Sequence, residues 1–147
     1  MRVHVYYERK LFAMSLTDVD ADIARQRAVT DAAMGFIWEN TVRPLVTDEV
    51  IEEHRGNPFG RHSPALDMVL GFLRNDPLRM SPRLVVVILR PEEQWAIGDV
   101  SREVGVPVHV RPDVYYSVEE IEHAIFRERL AAVQVAFGAA DPAIATD

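Results

Sequence analysis

The period of the hydrophobic positions changes several times along the chain, and each change predicts an element. Apolar residues at Val19, Ile23, Met34, Ile37 and Trp38 share the spacing of one helix face. Thr17 followed by Asp20 resembles a capping box with aspartate in place of the usual glutamate, and a helix interior does not run through Pro44. Together they predict a long N-terminal helix over about 18–41. Its middle carries Arg25, Gln26, Arg27, Thr30 and Asp31, so the apolar face is sparse and suits a helix that packs at its ends or against a partner.

Further on, the punctuation is dense. Thr47 predicts the cap of a short helix over 48–55, with Asp48 and Glu49 in the first turn where they oppose the macrodipole, and Gly56 as its stop. Ser63-Pro64 starts a helix over 64–75 with Leu66, Val69, Leu70 and Leu73 inward. The run LVVVIL, 84–89, reads as a central strand buried on both faces. Pro91, Glu92 and Glu93 then read as the first turn of a helix that continues through Ile97, Val100 and Val104 and closes at Gly105, before a second strand at 106–110. Ser117 and Glu120 form a full capping box that opens a last helix through Ile121, Ala124, Ile125, Leu130 and Val133 to Phe137, stopped by Gly138.

The expected fold class is therefore α+β or α/β: a helix-rich single domain with a βαβ unit (strands about 84–89 and 106–110) and a long N-terminal helix. Residues 1–14 read as an N-terminal extension in which Val3, Val5 and Tyr7 alternate with other residues. The domain proper is 15–138, its α/β portion 47–138, and residues 139–147 read as a small, polar, flexible tail.

Composition narrows the function classes. A chain of 147 residues, 48% hydrophobic and 27% charged, is one globular domain, and no apolar run approaches the roughly 20 residues that cross a bilayer. The N-terminus lacks the apolar core of a secretory signal, so a cytoplasmic protein is expected. The absence of cysteine excludes disulfides, thiolate nucleophiles and cysteine-held metals. A net charge of −7, with acids spread along the chain, argues against nucleic acid as a partner. Of the 16 basic residues all but Lys10 are arginine, which reflects either genomic base composition or the fitness of a planar guanidinium for interfaces.

Candidate chemistry is thin. Glu120 and His123 lie one turn apart, as in carboxylate-bridged di-iron bundles, but that chemistry needs a second E-x-x-H, which the chain lacks, and Glu120 already serves a cap. His54 and His62, with Glu52 or Glu53, can be drawn as a His/His/carboxylate set; against that, His54 suits a helix C-terminus and His62 precedes a cap. There is no nucleophile elbow and no phosphate loop, and Tyr115-Tyr116 enters a capped helix as packing tyrosines do.

The stretch EEHRGNPFGRHSP, 52–64, is the least generic part of the chain. Taken together, Glu53-His54, Asn57-Pro58-Phe59-Gly60, His62-Ser63-Pro64, Phe72-Leu73-Arg74 with Pro77, and His123-Ala124-Ile125-Phe126 with Arg129 resemble the small subunit of bacterial N,N-dimethylformamidase over about residues 48–135. The resemblance implies a heteromer in which a large catalytic subunit holds a mononuclear iron and hydrolyses a small amide to formate and an amine. It implies no catalytic residue, cofactor or metal ligand on this chain, and a role as accessory small subunit. The expected subunit interface comprises Asn57, Pro58, Phe59, Arg61 and His62 of the loop, with Trp38 and Arg74. Two other readings stay open: a free-standing binding or regulatory βαβ module, and a small metalloenzyme using His54, His62 or His123.

Overall fold

The structure is a computed structural model and describes residues 16–79 and 81–138; the expectations for the N-terminal extension and for the tail lie outside these residues. The chain divides into two units at Phe36/Ile37.

The first unit contributes most of α1, Leu16–Ile37, which begins before Thr17 rather than after it. Five alanines with Arg25, Gln26 and Arg27 give it good intrinsic propensity, and an exposed Arg25–Asp22 pair at 3.5 Å bridges successive turns. Val19, Ile23, Val29 and Phe36 are exposed. Sequence therefore indicated the long helix correctly, and its α-helical part ends at Ile37, before the expected end near 41.

The second unit opens where that helix changes gauge. Trp38–Val42 is a π turn, closed by the Arg43 N–H donating to the Trp38 carbonyl, and Arg43–Leu45 is a 3-10 turn. Pro44 explains the change, since it has no N–H to donate and its ring crowds the carbonyl four residues back. The wider turn delivers Trp38 and Val42 into the core, at 2% and 1% exposure.

Helix α2, Asp48–Gly56, is capped by Thr47, whose hydroxyl accepts the Val50 N–H at 3.3 Å. Helix α3, Pro64–Arg74, is capped in the same way by Ser63, and it buries Leu66, Val69, Phe72 and Leu73. The ring of Phe72 lies 5.7 Å from that of Trp38.

The β portion corrects the sequence reading. Strand β1, Arg83–Arg90, and strand β2, Gln94–Val100, form an antiparallel hairpin, and β3, His109–Val110, adds antiparallel to β2 in the order β1-β2-β3. There is no βαβ unit among the described residues, and β1 is an edge strand rather than a central one. The expected helix after Pro91 is instead a turn and a strand: the Glu93 N–H returns to the Arg90 carbonyl at 3.1 Å, with Glu92 at φ 62°. Left-handed backbone at that place in a turn usually draws glycine or asparagine, so Pro-Glu-Glu imitated a helix start.

Gly98 shows why the hairpin suits this sequence. A Cβ there would sit 2.8 Å from both Val87 and Val108, so the bare backbone lets the valines of neighbouring segments close over the sheet. The far edge of β2 is covered by Tyr115, which exchanges two backbone hydrogen bonds with Trp95 at 2.8 and 2.9 Å.

Helix α4, Val118–Gly138, joins the layers. Ile121 and Ile125 pack with Ile97, Leu84, Val86 and Trp95 against one face of the sheet. His123, Phe126, Leu130, Val133 and Phe137 recur at alternating spacings of three and four, and this second stripe meets α2 through His54 and α3 through Phe72. Full burial of an isoleucine such as Ile121 stabilises the fold by about 2–3 kcal/mol. Among the described residues no helix is long and apolar enough to cross a membrane.

Candidate functional site

The connection between α2 and α3 is held at each end by local chemistry. Glu53, in the last turn of α2, accepts the backbone N–H of Ser63 at 2.6 Å on one oxygen and its hydroxyl at 2.7 Å on the other. The Ser63 hydroxyl in turn accepts the Leu66 N–H at 3.2 Å, so one carboxylate fixes the first turn of the next helix. These two bonds hold the Glu53 carboxyl below the usual carboxylate range.

Within the loop, His62 donates through Nε2 to the Asn57 carbonyl at 2.8 Å, leaving Nδ1 3.6 Å from Asp67. Gly60 takes φ +92°, the left-handed region that glycine enters without strain. The result is a closed loop that presents Phe59, at 47% exposure, beside an exposed Arg61.

Behind the loop two histidines meet. His54 on α2 and His123 on α4 approach Nδ1 to Nδ1 at 3.0 Å, and the His54 ring stacks on Phe126 with centroids 3.9 Å apart and planes 12° apart. His62 lies 6.5 Å from His54, ring to ring. A single proton bridges the pair, so one ring donates and the other accepts. Nε2 of His123 is buried and meets no partner among the described residues, and the arrangement that leaves no buried N–H orphaned has His123 donate through Nδ1. Burial, then the nearby His123 and His62, push His54 down to about 4; burial, then Arg55 and Arg127, lower His123 against the pull of Glu52. Both rings are neutral at pH 7.

Such a pair is suited to joining helices and poorly suited to catalysis. Each Nδ1 is engaged with the other, His54 is 4% exposed and His123 8% exposed, and neither lines the cavity described below. Among the described residues no three His, Asp or Glu side chains stand where they would hold one ion. Glu120 is exposed while His123 is buried, so the E-x-x-H pair does not converge.

The predicted interface residues fall in three places. Asn57, Pro58, Phe59, Arg61 and His62 share the loop, Trp38 lies inside the core, and Arg74 ends α3 at the rim of a cavity of about 660 Å³. Tyr115 packs against the sheet–α4 core, and Tyr116 is exposed.

That cavity was missed by the sequence reading. Two arginines form its frame. Arg102 grips Asp76 with two bonds of 2.6 and 2.7 Å and also donates to the Ser81 carbonyl at 2.7 Å. Arg111 grips Asp99 with two bonds of 2.8 Å and Glu128 with a third of 2.8 Å. These contacts raise both arginines and lower Asp76 and Asp99, so the pairs stay ionised. The only sequence signal was the excess of arginine, which does not say which arginine meets which acid.

A helical layer packed on an antiparallel sheet through one shared helix, with a clamped loop at the α2–α3 corner, defines an α+β protein. The family comparison then identifies it: the profile described as N,N-dimethylformamidase alpha subunit matches residues 32–140, and the chain belongs to that family. Comparison with curated proteins yields no match.

Proposed function

We propose that this chain is the accessory, non-catalytic small subunit of a heteromeric amide hydrolase in the cytoplasm. Its large partner chain holds the iron and the catalytic residues, and the complex cleaves N,N-dimethylformamide or a similar small amide with water to formate and an amine. The observation that carries the reading is the family match over residues 32–140, a family described as one subunit of an enzyme. The buried histidine pair supports it, because the most reactive side chains of the loop region are turned to holding α2 against α4.

The clamped loop supports the docking part of the reading. An exposed phenylalanine and arginine on a loop already fixed by Glu53, Gly60 and His62 lose little conformational freedom on binding. In this reading Phe59 and Arg61 contact the large subunit, with Asn57, Pro58 and His62 setting the loop's shape and Arg74 at the edge.

The test is to purify the tagged chain from its native cells. The expected result is copurification with a much larger, iron-containing chain, and hydrolysis of N,N-dimethylformamide by the complex but not by the small chain alone. A lone chain that turns over the amide, or one recovered from those cells as a monomer without a partner, overturns the proposal.

A further inference from the structure

The cavity between α3, β1 and α4 is distinct from the histidine pair, and its charge is unusual for so acidic a chain. Arg102 and Arg111 are committed to Asp76, Asp99 and Glu128, which leaves Arg74, Arg83 and Arg129. Arg74 makes no hydrogen bond or ion pair among the described residues. Arg129 gives one N–H to the Leu84 carbonyl at 3.0 Å, and Arg83 reaches Asp76 only at 3.5 Å. Five arginines and three carboxylates line the cavity, so its formal balance is positive by two in a chain of net charge −7. The rest of the wall is largely apolar, formed by Leu73, Leu84 and Val133 among others.

We propose that this cavity binds a small organic carboxylate, with the anionic head on Arg74, Arg83 and Arg129 and the apolar body against Leu73, Leu84 and Val133. A guanidinium presents parallel N–H donors that match the two oxygens of a carboxylate, and among the described residues nothing takes the donors of Arg74. The volume of about 660 Å³ is in the range that holds small molecules. Inorganic phosphate would satisfy the arginines and gain nothing from the apolar wall, which is why an organic anion is the better match. Arg102 and Arg111 then act as positioning residues, tying the segments around Asp76 and Asp99 so that the cavity keeps its shape.

Calorimetric titration of the full-length chain at constant ionic strength tests this, with hexanoate, hexanamide and inorganic phosphate as probes. The expected result is saturable binding of hexanoate at one site, with hexanamide and phosphate each weaker by about ten-fold or more. Arg74→Gln and Arg129→Gln should each weaken hexanoate by about ten-fold, while Arg90→Gln, at the β1–β2 turn, leaves it unchanged. Because Arg74 has no hydrogen-bond or ion-pair partner among the described residues, its replacement breaks no polar contact there, and it carries the test even if Arg129→Gln does not fold. Equal binding of hexanamide, equal binding of phosphate, no saturation by hexanoate, or unaltered affinity in Arg74→Gln overturns the proposal. None of these results depends on a partner chain, so they stand apart from the subunit reading.

Discussion

The chain keeps its polar groups out of trouble in two different ways. At the α2–α4 contact, His54 and His123 are withdrawn from water and stay neutral, each satisfying the other through one shared proton. At the cavity, Arg102 and Arg111 stay charged, about a quarter exposed at 24% and 28%, and each is gripped in bidentate geometry by an aspartate. A histidine can be buried by giving up its charge, whereas arginine cannot, so it needs a partner of opposite sign. The first device makes a contact that fails when protons are added; the second makes one that fails when a partner is removed or screened.

The largest effect should come from breaking the neutral device. His54→Ala leaves a ring-sized gap beside Phe126 and an unanswered Nδ1 on His123, and should cost about 3–4 kcal/mol in denaturant unfolding. His123→Ala should cost a similar amount. The double variant should cost less than the sum by about 1 kcal/mol, because the shared bond is lost only once. Strict additivity would show that the 3.0 Å contact contributes nothing of its own.

Acid comes next. His54 is lowered from 6.5 to about 4, so between these values the unfolded chain takes up a proton that the folded chain refuses. Stability attributable to His54 is complete above pH 6.5 and falls as pH drops toward 4, by about 3 kcal/mol at roughly 1.4 kcal/mol per unit. Lowered His123 acts in the same direction. Asp76 and Asp99 also lose stabilising charge on acidification, but from 3.8 downward, so the window above pH 5 isolates the histidines. Unfolding measured at pH 7 and pH 5 should show the decline in the native chain and little of it in a His54→Phe/His123→Leu variant; an equal decline in both would assign it elsewhere.

The charged device should give a smaller effect. Arg111→Lys keeps the charge but loses the fork that spans Asp99 and Glu128, and should destabilise by about 1–2 kcal/mol, more at low salt than at high. The partly exposed setting keeps the figure modest. Thermal unfolding of the variant across a salt series is the check, and a salt-independent loss would point to packing rather than charge.

How much of this could be read from sequence follows the same division between local and distant. The caps at Thr47, Ser63 and Ser117 were legible because a hydroxyl and an amide three residues on settle the matter between them, and all three hydrogen bonds are present. The β1–β2 turn was not legible: Glu92 adopts positive φ without glycine, and Gln94–Val100 carries both an alternating pattern and a 97/100/104 helical spacing. Since the strands are joined by so few residues, no crossover helix fits between them and the pairing has to be antiparallel. The loop was legible as something shaped, through its glycine, proline and cap. That His54 meets His123, 69 residues away, and Asp76 meets Arg102, 26 away, is decided by the fold.

The smallest effect on the fold, and the sharpest on function, should come from Phe59. Neither polar device uses it: its side chain is 47% exposed, while Glu53, His62 and Gly60 hold the loop around it. Phe59→Ala should therefore change stability by no more than about 0.5 kcal/mol. If the loop docks on the large subunit, the same change should weaken the complex markedly, since an aromatic side chain on a preorganised surface is the kind of contact that carries binding energy. Unfolding of the isolated variant and pull-down of the partner separate the two expectations. A stable variant that still retains its partner at native strength would move the interface away from this corner and toward Arg74 or the exposed face of α1.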